Sequence, residues 1–193
     1  MIRHATLGDA DLCAGILTAA FADDPVSRWL VADPEDGLRV HHRYFHRFVR
    51  HGLAVGTIEI AGDAACAVWF PSDAPDPDHE PAAIAEQYAE RFSVFERILH
   101  DRHPTSPEHD YLMLLGARAD QRGRGLGSAL LAHRLIELDP AETPTYLVAT
   151  TRRSASGVYA RAGYRPLGEP IQLPEGLQVY PLWRDPPSTP QQA

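Results

Sequence analysis

Gln121-Arg122-Gly123-Arg124-Gly125-Leu126-Gly127-Ser128 sets three glycines at alternate positions, with arginines at 122 and 124. Lacking Cβ atoms, such a chain turns sharply and brings successive backbone N–H groups close to a ligand. The apolar run Tyr111 to Leu115 precedes the glycines and a helix-forming run, Ala129 to Leu138, follows, so these donors fall at a strand-to-helix turn. A helix N-terminus binds phosphate through its free N–H groups and the positive end of its dipole. Arg122 and Arg124 add fork-shaped donors to the same turn. In a chain of formal net charge −8, this local positive spot points to a diphosphate ligand.

A Walker A loop would need Gly-Lys-Ser/Thr at its end, and the chain contains no lysine. The dinucleotide fingerprint G-x-G-x-x-G is nearly met from Gly123, but Ser128 stands at its last glycine, and that motif normally opens the first βαβ unit of a chain. What remains, Arg122-x-x-Gly125-x-Gly127, resembles the Q/R-x-x-G-x-G/A pyrophosphate loop of the GNAT superfamily of N-acetyltransferases. Upstream, His109-Asp110-Tyr111-Leu112 and Leu115-Gly116-Ala117 resemble the His-x-Tyr-Leu and Leu-Gly-Val segments of that family's fourth strand. Downstream, Tyr159-Ala160-Arg161-Ala162-Gly163-Tyr164 resembles its Tyr-x-x-x-Gly-Phe segment. Ala20 to Pro25 followed by Trp29, then Ala67 to Phe70, and finally Leu182-Trp183-Arg184 are similar to the puromycin N-acetyltransferase-like branch.

Length and composition set the bounds. At 193 residues and 44% hydrophobic, the chain fits one globular domain, expected over 1–184, with a disordered proline- and glutamine-rich tail over 185–193. No leader pattern and no apolar run of membrane length is visible, so a soluble, cytoplasmic protein is expected. The acidic balance, 26 Asp and Glu against 18 arginines, argues against nucleic acid. Cys13 and Cys66 are far apart and without CxxC spacing, so no thiolate metal site is expected. His42 and His46 stand one helical turn apart but lack an HExxH glutamate and a third ligand, and read as a partly solvated face.

Along the chain, Asp9 is a plausible N-cap for a helix Ala10 to Phe21, which Asp24-Pro25 ends. A second helix follows Asp33-Pro34, with Leu38, His42, Phe45 and Val49 on its apolar face and His41 among the polar positions around it. Leu53 to Ile60 and Ala64 to Phe70, joined by Ala61-Gly62-Asp63, read as a hairpin. Pro71 to Pro81, with four prolines and four acidic residues, reads as an exposed loop before a helix over Ile84 to Leu99. Tyr111 to Ala117, Thr145 to Thr150, Tyr164 to Leu167 and Leu177 to Trp183 are the remaining strands, and Ser154 caps a short helix that Gly163 closes.

The resemblance implies an α/β (α+β) GNAT fold: a mixed, mostly antiparallel sheet of six to seven strands, flanked by helices, whose parallel fourth and fifth strands splay apart. It implies direct transfer of an acetyl group from acetyl-CoA to the primary amine of a small molecule, antibiotic-like amines included. It assigns Leu115, Gly116 and Ala117 to main-chain contacts with the pantetheine arm, and Arg122, Gly123, Arg124, Gly125, Leu126, Gly127 and Ser128 to the pyrophosphate. Tyr159 becomes the general acid for the departing thiolate, and Phe21, Asp24 and Trp29 fall on the acceptor side; no metal is implied. Two departures stand out: the branch's fifth-strand glutamate is replaced at Val148 or Ala149, and its asparagine four residues before the tyrosine by Ala155. Glu59, His109, Asp24 and water remain as bases, with His109 equally suited to fixing the strand. A homodimer is common in the superfamily. Acetylation of a peptide amine, or acyl-CoA binding without turnover, are the alternatives.

Overall fold

The computed structural model describes residues 1–75 and 86–187. The first helix, α1 (Ala10–Phe21), covers the residues expected of it. Asp9 does not cap it; its carboxylate turns back, accepting from the Thr6 N–H at 2.8 Å and from Arg3 at 2.7 and 2.8 Å. Helix α2 (Pro25–Leu30) starts where Pro25 fits the first turn and the Asp24 carboxylate caps the Val26 and Ser27 N–H groups.

Helix α3 (Pro34–Val55) is longer than the sequence pattern indicates. Leu53, Ala54 and Val55 complete it rather than opening a strand, because an apolar run of this length satisfies a buried helix as well as a strand. Gly52 lets the helix lie on the sheet: a Cβ there would stand 3.1 Å from both Ile58 and Val68. Gly56 ends it, since a Cβ at that point would fall 2.2 Å from the Trp69 carbonyl oxygen. The apolar face is also rotated from the expected one. Val40, His41, Tyr44, Phe45, Phe48 and Val49 are buried while Leu38 is exposed, so the Val40-Tyr44-Phe48 stripe governs and His41 is carried inward with it.

Strands β1 (Ile2–His4), β2 (Thr57–Ala61), β3 (Ala65–Pro71), β4 (Asp110–Ala117), β5 (Thr145–Ala149), β6 (Arg165–Pro166) and β8 (Gln178–Arg184) line up in the order β1-β2-β3-β4-β5-β8-β6. The two-residue β7 (Ile171–Gln172) also pairs with β8. Every pairing is antiparallel except β4 with β5. Helices α1 to α3 and α4 (Glu86–His100) enclose one core on one face, and α5 (Leu126–Leu138) covers a second core on the other. The part of the Pro71 to Pro81 loop beyond 75, the Ile84 end of the next helix and the tail beyond 187 lie outside the described residues.

Two features of β4 open a cleft. Its parallel pairing with β5 consists of Asp110–Thr145, Tyr111–Tyr146 and Leu112–Leu147, after which the strands part. Against β3, Val68 opposes Leu114 while Trp69 opposes Leu112, so Met113 is the extra residue of a bulge at the point of parting. A bulge bends its strand and increases the local twist, which turns the remainder of β4 away from β5.

Candidate active site

The parting strands border a cavity of about 690 Å³. Leu112 to Ala117 of β4 and Val148 to Thr151 at the end of β5 form two of its sides; residues of α1, α2, α3, α4, β8 and the helix bearing Tyr159 also line it. That last helix begins as α6 (Arg152–Ser154), capped by the Thr151 hydroxyl, which accepts from the Ser154 N–H at 3.2 Å. Ser154, the sequence-based choice of cap, lies inside the helix because Thr151 has the extended backbone a cap requires. Ala155 to Tyr159 then form a π-helical turn, a local widening that resets which side chains face the cavity. Gly163, at φ +92°, closes the segment, and the Tyr164 N–H donates to the Tyr159 carbonyl at 3.1 Å.

Asp24 is the buried carboxylate lining this cavity. One oxygen accepts from the Val26 and Ser27 N–H groups at 2.9 and 3.3 Å, and the other accepts from the Thr150 hydroxyl at 2.5 Å. Burial raises its pKa above the ordinary carboxylate value, against the lowering effect of those donors and of the Arg122 charge. Tyr159 lines the same cavity. Burial, and then the neighbouring Asp24 charge, hold its hydroxyl protonated far past neutral pH. A basic carboxylate and a proton-bearing phenol thus stand in one enclosure, the pairing that acid–base chemistry requires.

The glycine turn lies at the mouth of this enclosure. Gly125 has φ +78° and is the residue from which α5 starts; Gly123 has φ +77°. Nothing stands within 4 Å of where a Cβ on either would be, so the backbone there is open to a ligand. Arg122 lines the cavity and spends one Nη on the Ala20 carbonyl at 2.6 Å, which ties the turn to α1. Beyond Leu112, the β4 edge that faced β5 carries no strand among the described residues, and its main chain is available to an amide-bearing arm as it would be to a strand. An open glycine turn beside an arginine, next to an open strand edge, has the donors that an anionic ligand with an amide-bearing arm would need.

Of the residues singled out from sequence, Phe21, Asp24, Leu115, Gly116, Ala117, Arg122 and Tyr159 line the cavity together. Gly116 has a packing duty as well: a Cβ there would lie 2.7 Å from that of Ala20, so the glycine lets α1 press against β4. Gly123 to Ser128 form the turn and first residues of α5 outside the cavity lining, with Gly127 packed near Leu115 and Val158. Trp29 is not brought to the cavity. It is buried in the α-helical core under the Arg91 guanidinium, whose carbon stands 5.8 Å from the ring centroid.

Two of the bases considered from sequence lie elsewhere. Glu59 is fully buried on the α5 side of the sheet, its Oε1 2.5 Å from His133 Nδ1. His109 is a strand anchor: its N–H donates to Ser72 Oγ at 3.0 Å and its Nδ1 lies 2.8 Å from the Pro107 carbonyl. Residues that sequence reasoning passed over include Thr150, which holds Asp24, and His41, Tyr44 and Phe45 of α3, which form a wall. The signal for the wall was the Val40-Tyr44-Phe48 spacing. Among the described residues no group of three or more His, Cys, Asp or Glu is placed to hold a metal, and no helix is long and apolar enough to cross a membrane.

No protein-family model matches the chain. Solved structures do. A protein from Corynebacterium glutamicum, described as histone acetyltransferase HPA2 and related acetyltransferase, superposes with a TM-score of 0.74 at 27% identity, over 99% of this chain and 98% of that one. An agmatine N-acetyltransferase matches with a TM-score of 0.65 at 17% identity, over 96% and 98% of the two chains. The NatC complex, solved with a Gag peptide and CoA, matches with a TM-score of 0.55 at 14% identity, over 96% and 97%.

Proposed function

With the GNAT fold established by these neighbours and the mixed sheet parted at β4 and β5, we propose that the protein is an acetyl-CoA-dependent N-acetyltransferase acting on the primary amine of a small molecule. The observation that carries this reading is the enclosure of Asp24 and Tyr159 in the cavity that the parted strands border. The reading extends to the puromycin N-acetyltransferase-like branch, supported by Asp24-Pro25 at the cavity and the Leu182-Trp183-Arg184 ending of β8.

The Gly123–Gly125 turn, the start of α5 and Arg122 with Arg124 hold the diphosphate, and the β4 edge from Met113 to Ala117 pairs with the pantetheine amides. The amine nitrogen attacks the thioester carbonyl carbon, forming the N–C bond; Asp24 takes the proton the nitrogen loses, held in position by Thr150 and by the cap of α2. As the C–S bond breaks, Tyr159 gives its hydroxyl proton to the departing sulfur, and the excess proton on Asp24 returns to Tyr159 through solvent. Asp24 thereby fills the place of the missing fifth-strand glutamate from a different element. That one neighbour is an agmatine N-acetyltransferase supports a small amine as the acceptor.

The test is release of free thiol from acetyl-CoA across a panel of primary amines, with the product mass measured. Amine-dependent release with one acetyl group gained by the amine is the expected result. Hydrolysis that no amine accelerates would overturn the reading.

A further inference from the structure

Charge is unevenly distributed around the cavity. Its acidic side chains, Asp23 and Asp24, stand together at the start of α2, whereas its arginines, Arg122, Arg153 and Arg161, come from the glycine turn and the Tyr159 helix. Arg122 is tied to the Ala20 carbonyl, but Arg153 and Arg161 form no hydrogen bond, ion pair or ring contact among the described residues. Both are exposed, so water alone would satisfy them. What singles out Arg161 is its place beside the glycine turn.

Beyond its π turn the Tyr159 helix is α-helical again, with the Ala162 N–H donating to the Val158 carbonyl at 3.2 Å, so Val158 and Arg161, three residues apart, share a face. Val158 meets the start of α5: its Cγ2 lies 3.9 Å from where a Cβ on Gly127 would stand. Arg161 is thereby carried alongside the first turn of α5. Its side chain runs back along its own helix, as helical side chains do, and Nη1 reaches 4.0 Å from where a Cβ on Gly157 would stand. Gly157 lines the cavity and has no side chain to cover the guanidinium there. Arg153 lies more than a turn away from the α5 contact, in the first turn of the same helix.

Coenzyme A carries a second anionic group besides its diphosphate: a phosphate monoester on the 3′ carbon of the adenosine ribose, one sugar ring removed. Such a monoester holds about −1.5 to −2 charge at pH 7 and three acceptor oxygens, which a planar guanidinium matches. The glycine turn, the α5 terminus and Arg122 with Arg124 are occupied by the diphosphate. We propose that Arg161 binds the 3′-phosphate of acetyl-CoA beside the first turn of α5. This rests on the acetyl-CoA reading and makes Arg161 a specificity-determining residue for the acyl donor: a thioester on the same pantetheine arm but without the 3′-phosphate, as on dephospho-CoA or a carrier protein, lacks the group that Arg161 holds.

The experiment measures affinity for CoA and for dephospho-CoA, which differ only by the 3′-phosphate, by calorimetric titration into the wild type, Arg161→Gln, Arg161→Lys and Arg153→Gln. No amine is present, so the outcome does not depend on the acceptor. Wild type is expected to bind CoA about five- to tenfold more tightly than dephospho-CoA, the scale of one charge-assisted bond at a solvent-accessible site, and the advantage should shrink as salt is raised. The ratio should fall to near one in Arg161→Gln, be partly kept in Arg161→Lys, and stay at the wild-type value in Arg153→Gln. It is taken within each protein, so a loss of folded material in a variant cancels. Equal affinity for the two ligands in the wild type, a ratio unchanged in Arg161→Gln, or a ratio lost in Arg153→Gln instead would overturn the proposal while leaving CoA as the cosubstrate. Saturable binding of neither ligand would overturn it together with the acetyl-transfer reading.

Discussion

Replacing Asp24 with asparagine separates chemistry from architecture. Asparagine caps a helix about as well as aspartate, so the bonds from the Val26 and Ser27 N–H groups persist, and the Thr150 hydroxyl can accept from the new amide as readily as it donated to the carboxylate. Charge is what changes. Because burial raises the Asp24 pKa in the folded state, its contribution to stability is fully present below the ordinary carboxylate pKa and is lost as pH rises through the raised one. The neutral amide has no such loss, so at pH values above neutrality Asp24→Asn should melt no lower than wild type. Catalysis should move the other way: an amide cannot take the amine proton, and loss of a positioned base costs about 10²–10⁴ in rate. The acid limb of the wild-type kcat/KM profile, set by protonation of Asp24 above the usual carboxylate range, should disappear in the variant. Thiol release with the best amine, measured across pH beside a thermal melt, reads both. Activity within threefold of wild type, about 0.7 kcal/mol of barrier, would refute Asp24 as the base.

Tyr159→Phe keeps the ring packed in its core and removes only the acid, so kcat should fall by about 10²-fold with acetyl-CoA affinity nearly unchanged; isothermal titration and turnover on one preparation check both. Thr150→Val takes a donor from the Asp24 carboxylate, which raises that pKa further, and the acid limb of the pH–rate profile should shift to higher pH. Gly56→Ala places a Cβ 2.2 Å from the Trp69 carbonyl, a backbone contact that cannot yield locally. It should cost about 3 kcal/mol and lower Tm by about 6–12 °C, seen by calorimetry.

The glycine turn and α5 were legible because local physics decides them, whereas Tyr159 was legible through the family resemblance. Alternating glycines ahead of a helix-forming run serve few conformations, and Gly123 and Gly125 adopt the positive φ that only such residues accept cheaply. The parallel pairing of β4 and β5 was legible through the family resemblance alone, since periodicity does not encode strand order. Helix α3 was harder. Leu53 to Val55 suit helix or strand equally, and only the fit of Gly52 and Gly56 against β2 and β3 ends the helix where it does. The same misplaced helical face hid His41, because histidine in a run with His42, Arg43, His46 and Arg47 reads as solvated until Val40, Tyr44 and Phe48 are seen to set the buried stripe. Trp29 shows the opposite limit: proximity in sequence to Asp24 does not determine which way an aromatic ring packs when a helical core competes for it. Thr150 was visible as a strand end, but its bond to Asp24 joins residues 126 positions apart, and no local pattern reports that contact.

Binding of acetyl-CoA to the cleft at the parted strands is the claim on which the rest depends. Calorimetric titration of acetyl-CoA into the wild-type protein and into an Arg122→Ala, Arg124→Ala variant tests it directly. Charge-assisted hydrogen bonds contribute about 1.5–3 kcal/mol each, so two lost together should weaken binding by about a hundredfold or more. Saturable one-to-one binding in the wild type that the variant largely loses is the predicted result; no saturable binding, or equal affinity in the two proteins, would contradict the account.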